Sequence, residues 1–156
     1  MNNFPALCFL FGIFEISVIL VCTYAFMGKR LTYTHILWLT PFFSLVIFYL
    51  RSLPLPPFVH SLVLVLLLSF AINLLEKASL FKVIGAVITV FGLLFALETV
   101  SIQLLCIVLN SSVKQLTSNP VTWALSGIPH IVILGLLGQI TYYYRMRNSG
   151  QKTSHV

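Results

Sequence analysis

Between Lys82 and Lys114 the chain passes a single charged residue, Glu98. The stretch from Phe81 to Leu109, FKVIGAVITVFGLLFALETVSIQLLCIVL, is long enough to cross the ~30 Å hydrocarbon core of a bilayer with some tilt. It is expected to form a transmembrane helix over 82–109. Gly85, Thr89, Gly92, Ala96, Thr99 and Gln103 recur at spacings of three and four, so they share one stripe of an α-helix. Small residues in such a stripe let a second helix approach closely, which is how helices pack where lipid is as apolar as protein. The stripe Gly85, Thr89, Gly92, Ala96 and Thr99 is therefore expected to be a packing face. At 100° per residue, Glu98 falls on roughly the opposite side. A carboxylate facing lipid is expensive, so that side should meet protein or a wet cavity. The helix is expected to be central and touched on two faces.

The rest of the chain repeats this character. Of 156 residues, 59% are hydrophobic and only 8% charged, a balance outside the range of soluble domains and inside that of polytopic membrane proteins. Apolar runs over 4–27, 31–50, 58–75 and 120–144 join 82–109 to predict an all-α bundle of five transmembrane helices in one domain, 1–144, followed by a short basic tail, 145–156. The segment Arg51 to Pro57, RSLPLPP, cannot continue a helix, because its three prolines lack N–H donors and bias preceding residues toward extended backbone. The linker Asn110 to Asn119 is polar and reads as a loop, with Ser118 or Asn119 placed to cap a helix starting at Pro120. Pro41 predicts a kink in the second helix, and Gly127 to His130 an interruption in the fifth. No internal repeat is evident. Cys8, Cys22 and Cys106 lie in apolar segments without a CxxC pair, so neither a disulfide framework nor a metal centre is indicated. The first apolar run has its positive charges after it, at Lys29 and Arg30, the reverse of a secretory signal peptide, and is expected to be retained.

Charge distribution bears on orientation. With five spans and the N-terminus outside, Lys29, Arg30, Lys77, Lys82, Arg145, Arg147 and Lys152 fall on the inner side, against Arg51 and Lys114 on the outer, a bias of seven to two. That is the pattern of the positive-inside rule. The basic residues sit singly or in pairs between apolar runs, so they read as topology signals, and nucleic acid is not an expected partner. At ~1.5 Å per residue, Glu98 lies about 24 Å above Lys82, Glu15 about 21 Å above Lys29, and His130 about 15 Å below Pro120. His60 and Arg51 sit at the outer boundary. Glu15, Glu98, His60, His130 and Arg51 thus share the outer half of the bundle, and a polar pocket opening outward is expected there. Each has a structural alternative: the carboxylates as ties between helices, His130 as a companion of the Pro129 kink, and His60 and Arg51 as interfacial anchors.

Catalytic signatures are missing. The chain has no Asp, no HExxH, no GxSxG and no Gly-rich phosphate loop. No enzyme activity, catalytic residue, metal or cofactor is expected.

Arg51-Ser-Leu-Pro54-Leu-Pro56-Pro57-Phe-Val-His60, then Glu98 late in a long helix, then Asn119-Pro120 and Gly127-Ile-Pro129-His130, resembles the membrane-embedded input region that precedes the kinase in certain Gram-positive sensor histidine kinases. Those are broadly similar to the accessory-gene-regulator peptide receptors. The resemblance covers roughly residues 4 to 144. It implies a helical sensor domain of the bacterial cytoplasmic membrane, answering to an extracellular peptide or small ligand. The chain carries no phosphoacceptor helix and no ATP-binding domain, so kinase activity is not carried over. Beside the bilayer, the expected partners are a membrane or cytoplasmic protein, a histidine kinase among them, or a second copy of the chain. Two other readings stand beside this sensor-like or regulatory module. One is a small transporter or transporter subunit using the membrane carboxylates, and the other a structural assembly factor holding another membrane protein through the Gly85 to Thr99 stripe.

Overall fold

The computed structural model describes residues 4–30, 32–53, 56–113, 115 and 120–151. They form five long helices: α1 Phe4–Met27, α2 Tyr33–Ser52, α3 Pro57–Glu76, α4 Leu80–Val108 and α5 Pro120–Gln151. Among the described residues there is no strand. Each helix contains a stretch long and apolar enough to cross a membrane. Large apolar side chains cover the exterior on every helix, for example Phe14, Trp38, Phe70, Phe81 and Ile140. An exterior of this kind suits lipid and would drive aggregation in water.

The helix ends follow local rules. Pro57 opens α3 at its first turn, where the absent N–H is not needed. Gly28 ends α1 at φ +68°, its N–H donating to Ala25 O at 3.1 Å while Lys29 N–H reaches Tyr24 O at 3.2 Å. These two bonds satisfy carbonyls the helix would otherwise leave bare, in the paired pattern of a Schellman motif. Asn110 does the same for α4 at φ +48°, with Ser111 N–H on Cys106 O at 3.1 Å. Asparagine tolerates this left-handed backbone better than most residues.

Neighbouring helices close a ring in chain order, α1 to α5 and back to α1, and α1 also crosses the ring to meet α4. The core lies where they meet: Ile16, Ile19 and Leu20 of α1, Phe43 of α2, Leu68 and Ile72 of α3, Val87 and Val90 of α4, and Leu134 of α5. The central element is α1 rather than α4, its span being 44% buried against 33%.

Small residues bring two helices close, but on α5 rather than α4. Phe11 lies against Gly127, Val18 against Gly135 and Cys22 against Gly138, a nearly constant offset that makes α1 and α5 parallel neighbours. A Cβ on Gly127 would overlap the Phe11 ring, and one on Gly138 would come within 2.6 Å of Cys22 Sγ. Cys22 Sγ–H donates to Leu134 O at 3.1 Å across the same seam. By contrast, Gly85, Thr89, Gly92, Ala96 and Thr99 are exposed, and a Cβ on either glycine would meet nothing within 4 Å. The expected packing face of α4 is therefore not used among the described residues. Its inward face is instead Val83, Ala86, Val87, Val90, Phe91 and Leu94. Bulky side chains fill the space between α1 and α3, whereas the small stripe would leave it empty.

The expected interruption in the fifth helix is continuous helix. Pro41 lies inside α2 and Pro129 inside α5, with helix running through Gly127 to His130. The fifth helix also continues past Tyr144 to Gln151, carrying Arg145 and Arg147 into its last turns where a tail was expected. The proposed caps at Ser118 and Asn119 and the end of the chain beyond Gln151 lie outside the described residues.

The α1–α5 seam yields a paired expectation. Gly138→Val should lower unfolding stability in detergent by about 1–3 kcal/mol through overpacking against Cys22. Gly92→Ala should leave it unchanged or raise it by up to about 1 kcal/mol through helix propensity. Thermal unfolding of the two purified variants beside the parent checks both.

Candidate functional site: a polar cavity and a tied opposite end

Four helices enclose a cavity of about 340 Å³ at one end of the bundle. Its wall takes Glu15 from α1, Ile47 and Leu50 from α2, His60, Ser61 and Leu64 from α3, and Phe91, Leu94, Phe95 and Glu98 from α4. The helix directions explain the convergence. Glu15 lies in the first half of α1, Leu50 at the end of α2, His60 in the first turn of α3 and Glu98 late in α4, all at one level of the bundle. On α4 the spacing of Phe91, Phe95 and Glu98 puts two rings and a carboxylate on one side of the helix. The rings lean on each other with centroids 6.3 Å apart.

Three of the five residues singled out from the sequence thus meet in one cavity: Glu15, His60 and Glu98. All three are half-buried. His60 Nε2 is buried without a hydrogen-bond partner among the described residues. Glu15 interacts with a neighbouring group of the chain. His130 is not in the wall. It is buried on α5, edge-on to Phe11 with ring centroids 6.5 Å apart. The Arg51 side chain, the fifth residue of the set, lies outside the described residues, as does that of Cys8.

The opposite end of the bundle carries a second polar cluster, centred on Glu76 at the end of α3. Lys29 Nζ donates to Glu76 Oε2 at 2.9 Å and to its main-chain carbonyl at 2.6 Å. The Tyr24 hydroxyl donates to Oε1 at 3.0 Å, and His35 Nδ1 lies 3.1 Å from the same oxygen and 3.2 Å from that hydroxyl. One carboxylate thus ties α1, the α1–α2 turn, α2 and α3. The Schellman turn at Gly28 aims Lys29 at it. Nearby, Arg145 Nη1 donates to Phe26 O at 2.6 Å, fastening α5 to the last turn of α1. Lys and Arg on terminal carbonyls complement the negative end of each helix dipole.

Reading the sequence missed this cluster. It placed Lys29 at the inner surface but gave no signal that Tyr24, His35 and Glu76 meet there laterally. Glu76 is one of only three carboxylates in the chain, and that scarcity was the clue available. Among the described residues no group of three His, Cys, Asp or Glu could hold a metal ion.

The fold and cavity define a multi-pass, membrane-type helical bundle with a polar pocket at one end and a salt-bridged seam at the other. No protein-family model, curated protein or solved structure matches the chain.

The Glu76 tie has a graded expectation. Tyr24→Phe removes one bond to a charged acceptor and should destabilise by about 1 kcal/mol, whereas Glu76→Gln weakens every bond of the cluster at once and should do so by about 2 kcal/mol. The Glu76→Gln loss should shrink when Lys29→Met is already present, a double-mutant comparison read by detergent unfolding.

Proposed function

We propose that this chain is a multi-pass protein of the bacterial cytoplasmic membrane, N-terminus outside and C-terminus in the cytoplasm, acting as a sensor-like or regulatory module. Its ligand site is the cavity of Glu15, His60, Ser61 and Glu98, which faces outward. Binding there is passed to a partner protein through the basic inner turns and the end of α5. The observation that carries this reading is the cavity itself: two carboxylates, an imidazole and a hydroxyl from three helices, in a volume of about 340 Å³. Ionisable groups inside a membrane bundle are functional by default, and this volume lies in the ~300–1,000 Å³ range of small-molecule pockets. It admits a small ligand, or one side chain of a peptide. The orientation is supported by Lys29, Arg30, Lys77, Lys82, Arg145 and Arg147, which gather at the end opposite the cavity. The resemblance to sensor-kinase input regions favours a signalling role over transport.

The test is directional labelling. In a background with Cys8, Cys22 and Cys106 replaced by Ala, Ser61→Cys should react with a membrane-impermeant maleimide added outside intact cells. A thiol that reacts only in inverted vesicles reverses the orientation, and one sealed from both sides removes the pocket.

A second reading has its own observation. The stripe Gly85, Thr89, Gly92, Ala96 and Thr99 stands open on the bundle exterior, where a second membrane helix could approach closely. That favours an assembly factor, or association of two copies. In that case Gly92→Leu should leave the isolated chain as stable as the parent while abolishing function in cells, and Glu98→Gln should be silent.

A further inference from the structure

We infer that the cavity takes a small primary ammonium ion, with Glu98 as its counter-charge. This rests on the cavity being a ligand site and names what it binds. Among the described residues no ion pair or hydrogen bond engages the Glu98 carboxylate. The other two acidic residues differ: Glu76 is held by Lys29, and Glu15 is already engaged within the chain. A half-buried carboxylate without a cation carries a desolvation penalty that an incoming positive charge offsets. The rest of the wall suits the same guest. Phe91 and Phe95 present ring surface on the side of α4 that carries Glu98, and aromatic faces attract ammonium groups. His60 Nε2 is buried and unpaired among the described residues, and it accepts a hydrogen bond when the imidazole proton is on Nδ1. Ser61 adds a hydroxyl oxygen. A primary ammonium has three donors to set against the carboxylate, the imidazole nitrogen and the hydroxyl. Ile47, Leu50, Leu64 and Leu94 leave an apolar remainder for a short carbon chain. An anion would face two carboxylates, and a neutral guest would leave the Glu98 charge uncompensated. A cavity of about 340 Å³ limits the guest to a small free amine.

The experiment compares two probes of nearly equal shape, isobutylammonium and isobutanol. Each is titrated calorimetrically into the full chain in phosphatidylglycerol nanodiscs, with empty nanodiscs subtracted. Isobutylammonium should bind at least tenfold more tightly than isobutanol. Glu98→Gln should remove that preference, while Phe81→Leu, remote and on the exterior, should keep it. Equal binding of the two probes overturns the ammonium assignment, as does an undiminished preference in Glu98→Gln. Should Glu98→Gln fail to fold, the two-probe comparison on the parent chain still decides. If neither probe binds, the inference is wrong, and the Ser61→Cys labelling tells whether the pocket falls with it: a labelled thiol preserves the pocket, a sealed one removes both. Repeating the titration with phosphatidylethanolamine in the nanodisc separates a free amine from a lipid headgroup. Unchanged affinity supports the free amine, and a tenfold loss assigns the site to the headgroup instead.

Discussion

In an apolar bundle every polar group needs a partner inside the protein, because the surroundings offer none. Much of the structure follows from that constraint. Side-chain hydroxyls of Ser17, Thr23, Ser44, Thr89 and Thr99 each donate to the carbonyl four residues earlier, so they sit in apolar helices without needing a neighbour. Ser17 and Thr40 add a contact of 3.4 Å between α1 and α2. Where α1 and α4 end, left-handed residues at Gly28 and Asn110 turn the chain back so that its own N–H groups reach the bare carbonyls. At Glu76 the same constraint draws Tyr24, Lys29 and His35 around one carboxylate.

Against that background, the two ends of the bundle behave differently. At the Glu76 end, charges are matched and the helices are tied. At the cavity end, His60 Nε2 has no hydrogen-bond partner and Glu98 joins no ion pair among the described residues. The Glu76 ties thus lie at the end of the bundle away from the proposed ligand site. Close packing of α1 on α5 through Gly127, Gly135 and Gly138 runs from the cavity level toward the Glu76 end. It fixes the helix bearing His130 against the central helix bearing Glu15.

The helices themselves were legible in the chain. Five apolar runs broken by RSLPLPP, by GKR and by polar linkers predict five helices, and the observed ends differ by only a few residues except at α5. That helix runs on through Arg145 and Arg147, with no proline between Tyr144 and Gln151 to end it. The shared level of Glu15, His60 and Glu98 was legible too, since rise per residue converts position into depth. Lateral placement was not. Depth put His130 beside the other three, yet it lies on α5, outside the cavity wall.

Sequence alone determined the class of structure, the number of helices and the level of each polar group, because these depend on hydropathy, proline and helical rise along one dimension. Only the tertiary structure decided which faces meet. Two small-residue surfaces were available, one on α4 and one on α5, and local pattern does not rank them. The choice went to α5 because its glycines admit Phe11, Val18 and Cys22, while the bulky side of α4 fills the volume between α1 and α3. The convergence of Lys29, His35 and Tyr24 on Glu76 was decided in the same way, by the ring order of the helices, which no single helix encodes.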